Sequence, residues 1–340
     1  MRKTKVVKDF DYYIDEYMYY CRSRQLRQKT MNSYEQTLRL FERWCMDEED
    51  IIEPTEIRES TIRKYICSLQ DRGKYTVCSN DRSKLFNYPE RRKDYRHEIS
   101  NTTINNYIRN LKAFFSWFSY EVNKDNPMER IKQLKNERMA QEYLTDEELE
   151  KLKRNFDLSY FSEMRDFTII MLLLDSGMRI GECLSIKLDD VDMNERMIEL
   201  PAENTKGRQT RYVFFSVKML RILRKWLRFK DRYSESDLLF HVKSGTPVEI
   251  RTFEKNLRNY LARAGIDKQF SPHALRNNFA KRALMAGMDT YTLSKILGHS
   301  SVVVTEKAYL DLTDRDLKQR YQNFSPLENM SDKERKYAHG

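Results

Sequence analysis

Residues 175–182 read DSGMRIGE and directly follow a strongly apolar run, residues 167–174. The run predicts a fully buried helix, and Ser176-Gly177 predicts its end, because glycine readily adopts the left-handed conformation that closes a helix. Arg179 is therefore expected immediately after a buried helix. Glu182 follows three residues later.

The sequence around this helix predicts a mostly helical domain with a small sheet. A capping box over residues 145–148 marks its beginning. Two short apolar stretches, residues 197–200 and 212–215, flank the turn sequence Asn-Thr-Lys-Gly and predict a β-hairpin with Lys206 at its tip. Helical patterns resume after the hairpin, and Ser271-Pro272 predicts the start of another helix.

Two of the five histidines lie in suggestive contexts in this domain. His273 and Arg276 are three residues apart at a predicted helix start, which places them on one face. His299 follows a helix-stopping glycine in the sequence LGHS, and Tyr309 comes ten residues later. Each of these residues alone also fits a structural role, such as a turn histidine or a surface ion pair.

The first third of the chain predicts four helices packed as a small bundle. One of them carries a polar face opposite its apolar stripe, and this face either lies on a phosphate backbone or is simply solvated. Residues 70–100 lack a sustained period and predict an extended loop with a basic cluster, and the polar residues 123–143 predict an interdomain linker. The candidate DNA-binding residues are Asn105, Asn106, Arg109, Lys112, Arg91 and Arg92.

The composition fits a polyanion-binding protein with about two domains. The 340 residues carry a net charge of +10, divided equally between residues 1–143 and the remainder. The apolar fraction of 40% suffices for sizeable cores, but no apolar run approaches the length of a membrane span. The five cysteines form no CxxC pair, which argues against a disulfide framework or a zinc site. We expect an intracellular, cytoplasmic protein.

Considered together, these residues resemble the tyrosine recombinase/integrase family over roughly residues 144–312. They occur in the family's order, each in the expected helix or hairpin context: Arg179 in SGMRIGE, Lys206 at a hairpin tip, His273 and Arg276 in HALR, His299 in LGHSS, and Tyr309. The sequence departs from the family at Asn277-Asn278, where His, Ser or Thr often follows the HxLR motif. This departure affects neighbouring contacts but leaves the catalytic set intact.

The resemblance implies a mainly α fold with a small β-sheet, arranged as a C-shaped DNA clamp. A helical SAM-like core-binding domain (residues 1–122) and a linker (123–143) would precede a mixed α/β catalytic domain with a C-terminal helix (144–325) and a tail (326–340). No arm-binding domain is expected before the first helix. That organisation resembles Xer-like, Cre-like or transposon-encoded enzymes.

The resemblance also implies the chemistry. Arg179 and Arg276 would bind the non-bridging oxygens of the scissile phosphate, where paired guanidiniums outperform lysines. Tyr309 would attack phosphorus, giving a 3′-phosphotyrosine and a free 5′-hydroxyl. An unperturbed phenol has a pKa near 10, and His273 is the expected base. No metal, ATP or other cofactor is needed, because the phosphotyrosine retains the energy of the broken bond.

The remaining roles are also implied by the family. Lys206 would protonate the leaving 5′-oxygen, with Lys218 and Lys243 as alternatives nearby in sequence. His299 would hydrogen-bond a non-bridging oxygen and help to position Tyr309. Glu182 would orient the arginine or its neighbouring histidine without reacting.

The expected partners are double-stranded DNA with inverted-repeat core sites and three further copies of the chain. A short amphipathic helix over residues 314–324 would link the protomers of a tetramer on DNA or, docked in cis, cap its own core. An accessory directionality factor is a further expected partner. We favour a bacterial or phage mobile-element integrase, associated with the nucleoid. The alternatives are Xer-type resolution of chromosome or plasmid dimers, a type IB topoisomerase, and a catalytically idle DNA-binding regulator.

Overall fold

The computed structural model describes residues 8–78, 85–136, 142–205, 207, 209–233, 235–268, 270–299, 301–309, 316, 318 and 321. Of residues 304 and 307–309 it describes the backbone. The chain divides into two units, Met1–Arg138 and Met139–Gly340. Each has its own hydrophobic core, and each is described separately.

Four long helices form the first unit, as the sequence predicts. Their apolar stripes converge on an aromatic core in which Phe41, Phe114 and Phe115 are fully buried. The second helix begins at Gln28, and Ser100 caps the fourth by accepting a hydrogen bond from the N–H of Thr103. The helices are α1 (Phe10–Ser23), α2 (Gln28–Glu49), α3 (Glu59–Asp71) and α4 (Asn101–Val122).

The polar stretch after α4 packs against the first unit. Met128 and Ile131 are buried in the core of the bundle. Asn105 on α4 holds the same stretch: its Oδ1 accepts a hydrogen bond from the N–H of Leu134 at 2.7 Å, and its Nδ2 donates to the Leu134 carbonyl at 2.9 Å. At least part of the segment predicted as linker is therefore fixed to the bundle.

The segment between α3 and α4 is closed at its base by backbone hydrogen bonds. The N–H of Lys74 donates to the carbonyl of His97 at 2.7 Å, and the N–H of Arg96 donates to the carbonyl of Lys74 at 3.0 Å. Gly73 lies so close to the opposite strand that a Cβ atom there would be 2.5 Å from Cα of Arg96. Among its described residues a 3₁₀ turn covers Pro89–Arg91. The two ends of this loop are thus pinned together.

The second unit is mostly helical with one small antiparallel sheet, as predicted. The predicted hairpin is present, and a two-residue strand that the sequence did not predict extends it. The helices are α5 (Asp146–Arg154), α6 (Phe161–Ser176), α7 (Ile180–Leu184), α8 (Val217–Lys230), α9 (Ile250–Arg263), α10 (Pro272–Met285), α11 (Thr290–Leu297) and α12 (Val302–Tyr309). The strands are β1 (Val191–Asp192), β2 (Met197–Leu200) and β3 (Arg211–Phe214), in the order β1-β2-β3.

Local signals set the helix ends that matter for the site. The capping box of Thr145 and Glu148 starts α5 with reciprocal hydrogen bonds of 2.8 and 3.2 Å. Gly177 and Gly298 end α6 and α11 with φ angles of 66° and 64°, in the left-handed region that favours glycine. Ser271 and Pro272 begin α10 as predicted.

No helix among the described residues is long and apolar enough to cross a membrane. Cysteine is usually a buried residue type, but only three of the five cysteines of this chain are buried. Cys21, Cys45 and Cys183 are buried, whereas Cys67 is exposed and Cys78 is half-buried.

Candidate active site

Arg179 and Glu182 form the first corner of the site, at the start of α7. The Glu182 carboxylate is 2% exposed and accepts two hydrogen bonds of 2.8 Å from Arg179, one from the backbone N–H and one from Nη1. Burial alone would raise the pKa of Glu182. The charge of Arg211 and the bonds from Arg179 outweigh burial and lower the pKa. Glu182 is therefore an ionised anchor for Arg179, the orienting role that the resemblance implies.

Arg276 enters the site from α10 and is almost fully buried. Its Nη1 donates to the carbonyl of Gly177 at 2.8 Å, and its Nη2 donates to the carbonyl of Leu297 at 2.7 Å. Burial, followed by the charge of Arg179, lowers the pKa of Arg276 to about 9, so the group is charged at neutral pH. Arg276 therefore joins the ends of α6 and α11 and fixes its own position.

The carbonyl end of α11 collects three arginines. The carbonyls of Ile296, Leu297 and Gly298 accept hydrogen bonds from Arg211 at 2.6 Å, Arg276 at 2.7 Å and Arg179 at 3.4 Å, respectively. Helix C-termini carry unpaired carbonyls and a partial negative charge, which positive groups stabilise. One helix end thus gathers guanidiniums from three separate elements directly before His299.

His273 lies in the first turn of α10, three residues before Arg276. Its side chain is exposed, yet the protein around the ring removes part of its hydration. This partial desolvation, followed by the charges of Arg276 and Arg179, lowers the pKa of His273. His273 is therefore neutral at neutral pH and able to accept a proton.

His299 follows Gly298 and is held by the next helix. Its Nδ1 lies 2.8 Å from Oγ1 of Thr305, a buried hydroxyl on α12. Burial, followed by the charges of Arg276 and Arg179, lowers the pKa of His299 to about 4. The ring is therefore neutral at neutral pH. If Thr305 donates its proton to Nδ1, the ring proton is on Nε2, and Nε2 becomes a hydrogen-bond donor.

The structure therefore brings together Arg179, Glu182, His273, Arg276 and His299. Lys206 lies outside the described residues. The preceding residue, Thr205, is buried, and its hydroxyl accepts a hydrogen bond from the N–H of Gln209 at 3.2 Å. Tyr309 is the last residue of α12, and its side chain also lies outside the description. Its backbone is four residues beyond Thr305.

Asn278, one of the two residues at which the sequence departs from the family pattern, has a structural role. Asn278 is buried and donates to the carbonyl of Leu144 at 3.3 Å, while its Oδ1 accepts from Nε of Arg282 at 2.7 Å. It ties α10 to the start of α5. The side chain contributes to packing within the second unit.

The prediction for Asn105 is wrong. It is 9% exposed, and both ends of its amide hold Leu134, so it belongs to the interior of the first unit. The sequence pattern places Asn105 on the polar face of the helix because asparagine is usually an exposed residue. The next polar positions, Asn106 and Arg109, are exposed and hydrogen-bond to each other, and Lys112 is half-buried.

Arg91 and Arg92 are exposed on the loop between α3 and α4. Each guanidinium lies over a tyrosine ring, Arg91 at 4.5 Å from the ring centre of Tyr88 and Arg92 at 4.2 Å from that of Tyr75. Such stacking orients the arginines while leaving their N–H groups available at the surface.

Sequence reasoning did not identify Arg211 and Thr305. Arg211 begins β3, and the alternation of a short strand gives no reason to single out its first residue. Thr305 lies in the run Val-Val-Val-Thr, which indicates helix packing. A hydroxyl four residues before a candidate nucleophile was the one available signal.

Comparisons with known proteins identify the family of the chain. Residues 142–316 match the Phage integrase family, and residues 14–88 match the N-terminal SAM-like domain of phage integrases. The chain belongs to the phage integrase family. It is a tyrosine recombinase, an enzyme of site-specific recombination, as the curated relatives are.

Two such relatives illustrate the extent of the match. Tyrosine recombinase XerA of Saccharolobus solfataricus is 30% identical over 288 residues, which cover 84% of this chain and 85% of that protein. Tyrosine recombinase XerC of Bacillus subtilis is 28% identical over 239 residues, which cover 68% of this chain and 77% of that protein.

Solved structures share the fold. The Tn1549 transposon integrase in complex with transposon right end DNA has a TM-score of 0.68 at 18% identity, over 92% of this chain and 98% of that one. The XerH recombinase bound to a palindromic difH substrate has a TM-score of 0.65 at 19% identity, over 93% and 84%. The mainly α fold with a small sheet is therefore confirmed.

Proposed function

We propose that this recombinase cleaves and rejoins duplex DNA through a 3′-phosphotyrosine formed on Tyr309. The observation that carries the proposal is the convergence of Arg179, Arg276, His273 and His299 around the carbonyl end of α11. Two positive groups and two neutral imidazoles match what a phosphodiester transition state requires: charge stabilisation, a base and a neutral donor.

The arginines bind the non-bridging oxygens of the scissile phosphate. Arg276 uses one N–H of each terminal nitrogen on a backbone carbonyl, and a guanidinium has five N–H groups, so three remain for the substrate. Arg179 is similarly fixed by Glu182, and its side chain is 30% exposed. Because both are positioned before DNA arrives, little reorganisation accompanies the reaction.

The histidines divide the remaining work. His273 takes the proton of the Tyr309 hydroxyl as its oxygen attacks phosphorus and the bond to the 5′-oxygen breaks. Lys206 gives a proton to that leaving oxygen. His299 donates from Nε2 to a non-bridging oxygen, with Thr305 holding its other nitrogen. Attack by a 5′-hydroxyl on the phosphotyrosine reverses these transfers and rejoins the strand.

DNA contacts extend beyond the active site. Arg91, Arg92, Asn106, Arg109 and Lys112 are our candidates for phosphate contacts in the first unit, and Asn105 is excluded because it is buried. The charge of +10, shared by both portions of the chain, supports a partner that both units bind. We propose further that the DNA site is an inverted repeat.

Integration and excision of a mobile element is the biological role that we favour, because the pinned loop between α3 and α4 adds a basic segment to the bundle. Xer-type resolution of dimers is the second candidate, supported by the XerA and XerC relatives. A polymerase chain reaction distinguishes the two roles. Its primers lie near the two ends of the genomic segment that surrounds the gene and point outward, so that only a circular form of the segment gives a product. A circular junction that depends on Tyr309 supports the mobile element, whereas a site near the replication terminus supports dimer resolution.

We propose that four protomers act together on two sites. The support is the pattern of Leu317, Tyr321 and Phe324, of which the structure describes Tyr321, exposed to 64%. Against it, the carboxylate of Asp316 in the same segment pairs with Lys281 of α10 in its own chain at 2.7 Å, the contact that a helix capping its own unit would make. Truncation after Thr313 should leave a folded protein that binds a half-site but loses cooperative full-site binding and recombination. Full cooperativity after truncation would contradict this assembly.

The central experiment finds the DNA site before testing the chemistry. The full chain selects duplexes from a randomised pool, and the enriched duplex is remade with a nick beside the cleavage position, so that cleavage releases a short strand and traps the covalent complex. We expect an SDS-stable adduct with wild type and none with Arg179→Ala or Arg276→Ala, both of which should still bind. Absence of a wild-type adduct on every enriched duplex would overturn the proposal. Relaxation of supercoils without joining of two sites would indicate a topoisomerase.

A further inference from the structure

Arg211 connects two corners of the active site. It begins β3, and its side chain is 14% exposed. Nη1 donates to the carbonyl of Ile296 at 2.6 Å, and Nη2 donates to Oε2 of Glu182 at 2.7 Å. One guanidinium therefore joins the turn that carries Arg179 to the helix end that precedes His299.

The same side chain presses against the glycine of that helix end. A Cβ atom on Gly298 would lie 2.6 Å from Nε of Arg211 and 2.7 Å from its Cδ. Gly298 also needs its left-handed conformation to end α11. The backbone of the residue before His299 is thus confined on one side by Arg211.

We infer that Arg211 is a positioning residue for strand cleavage: it fixes the turn of His299 relative to the turn of Arg179 and acts through His299. This inference rests on the proposed function, since the rate that it affects is that of DNA cleavage.

Arginine suits this role better than lysine. The two acceptors are a backbone carbonyl and a carboxylate, and a planar guanidinium presents two separate donors to them at fixed angles. An ammonium group at the same place keeps the charge beside Glu182 but loses the fixed geometry. Arg211→Lys therefore tests the effect of hydrogen-bond geometry while the positive charge is retained.

Removal of Arg211 also has an electrostatic signature at His299. The charged and titratable groups that lower the pKa of His299, besides burial, are Arg276, Arg179, His273 and Arg211. Loss of one positive charge should raise this pKa from about 4. NMR titration of the DNA-free full chain with ¹³C-labelled histidine measures it directly, and a His299→Ala variant assigns the signal.

The kinetic test compares Arg211→Met, Arg211→Lys, His299→Ala and the two double variants on the nicked duplex enriched by wild type. Arg211→Met should slow adduct formation about ten- to hundredfold, by analogy with the loss of groups that orient metal-binding histidines. The dissociation constant for the duplex should change less than about threefold, since phosphate contacts elsewhere dominate affinity. Arg221→Met, at an exposed arginine of α8, controls for the loss of one charge.

The double variants decide whether Arg211 acts through His299. In the His299→Ala background, Arg211→Met and Arg211→Lys should cause no further slowing, because coupled residues are not additive. Equal slowing in both backgrounds would overturn the inference, as would a wild-type rate in folded Arg211→Met. Should Arg211→Met fail to fold, Arg211→Lys gives the same comparison with the charge retained. A wild type that forms no adduct contradicts the proposed function instead. The NMR titration then tests Arg211 by itself: an unchanged His299 pKa in Arg211→Met, with Arg211→Lys as the charge-retaining control, overturns the inference.

Discussion

Nδ1 of His299 lies 2.8 Å from Oγ1 of Thr305, so a hydroxyl one turn before Tyr309 determines which nitrogen of the histidine is available to the substrate. His299 follows α11, and Thr305 lies within α12. The hydrogen bond therefore links the orientation of the histidine to the helix that ends at the candidate nucleophile.

Replacement of Thr305 should impair cleavage without removing any catalytic group. Thr305→Val keeps the shape but loses the hydroxyl, and we expect adduct formation to slow roughly ten- to hundredfold, by analogy with the loss of groups that orient metal-binding histidines. Thr305→Ser restores the hydroxyl and should restore most of the rate. If the valine variant cleaves at the wild-type rate, the hydrogen bond has no catalytic role.

Tyr309→Phe should bind the enriched duplex with unchanged affinity and form no SDS-stable adduct, because the phenylalanine ring has no oxygen to attack phosphorus. Tyr291→Phe, at an exposed tyrosine of α11, is the matched control and should form adduct normally. The reverse outcome would transfer the role of nucleophile to Tyr291.

Lys206→Ala should slow cleavage by about 10²–10⁴-fold, the range for a lost general acid. A duplex with a 5′-phosphorothiolate at the cleavage position has a leaving group that needs no proton, and it should restore most of the rate. Lys218→Ala and Lys243→Ala serve as controls on both substrates. Slow cleavage of the phosphorothiolate by Lys206→Ala would remove the acid role from this lysine.

Cleavage at limiting DNA should persist to pH values below the ordinary histidine range. His273 acts as a base only when it is unprotonated, and desolvation together with Arg276 and Arg179 lowers its pKa. Rates under these conditions report the free enzyme, so the acid limb should have its midpoint below about 6.5, the unperturbed value. An acid limb centred at or above that value would show that the base is a different group.

Asn105→Ala should destabilise the first unit by about 1–3 kcal/mol, because it removes two hydrogen bonds of a buried amide to the backbone of half-buried Leu134, each worth about 0.5–1.5 kcal/mol. Asn106→Ala, at the exposed neighbour, should change the free energy of unfolding by less than about 0.5 kcal/mol. Hydrogen exchange of peptides from α4 measures both. Equal protection in the two variants would refute the structural role of Asn105.

The elements that the sequence predicts well are those with strong local signals. The bundle helices have sustained apolar stripes, and Ser176-Gly177, Thr145 with Glu148, and Pro272 mark helix ends through chemistry confined to a few residues. The order of the motifs on which the family resemblance rests adds the positions of Arg179, His273, Arg276 and His299, and the structure brings these together.

The features that the sequence does not predict depend on distant contacts. Asn105 is buried where Leu134, 29 residues away, folds back onto α4. Arg211 reaches Ile296 across 85 residues of sequence, and no local pattern encodes that approach. The strand Val191–Asp192 has two residues, too few for alternation to be visible.

Because the base of the loop between α3 and α4 is pinned, the geometry of the bundle does not depend on the length of that loop. The hydrogen bonds between Lys74 and the residues Arg96 and His97 hold its two ends as neighbouring strands are held. Each doubling of such a loop costs only about 0.6 kcal/mol of closure entropy. We therefore expect insertions or deletions beyond this base, and beyond the hydrogen bond from Arg43 of α2 to the carbonyl of Cys78, to leave the four helices in their places.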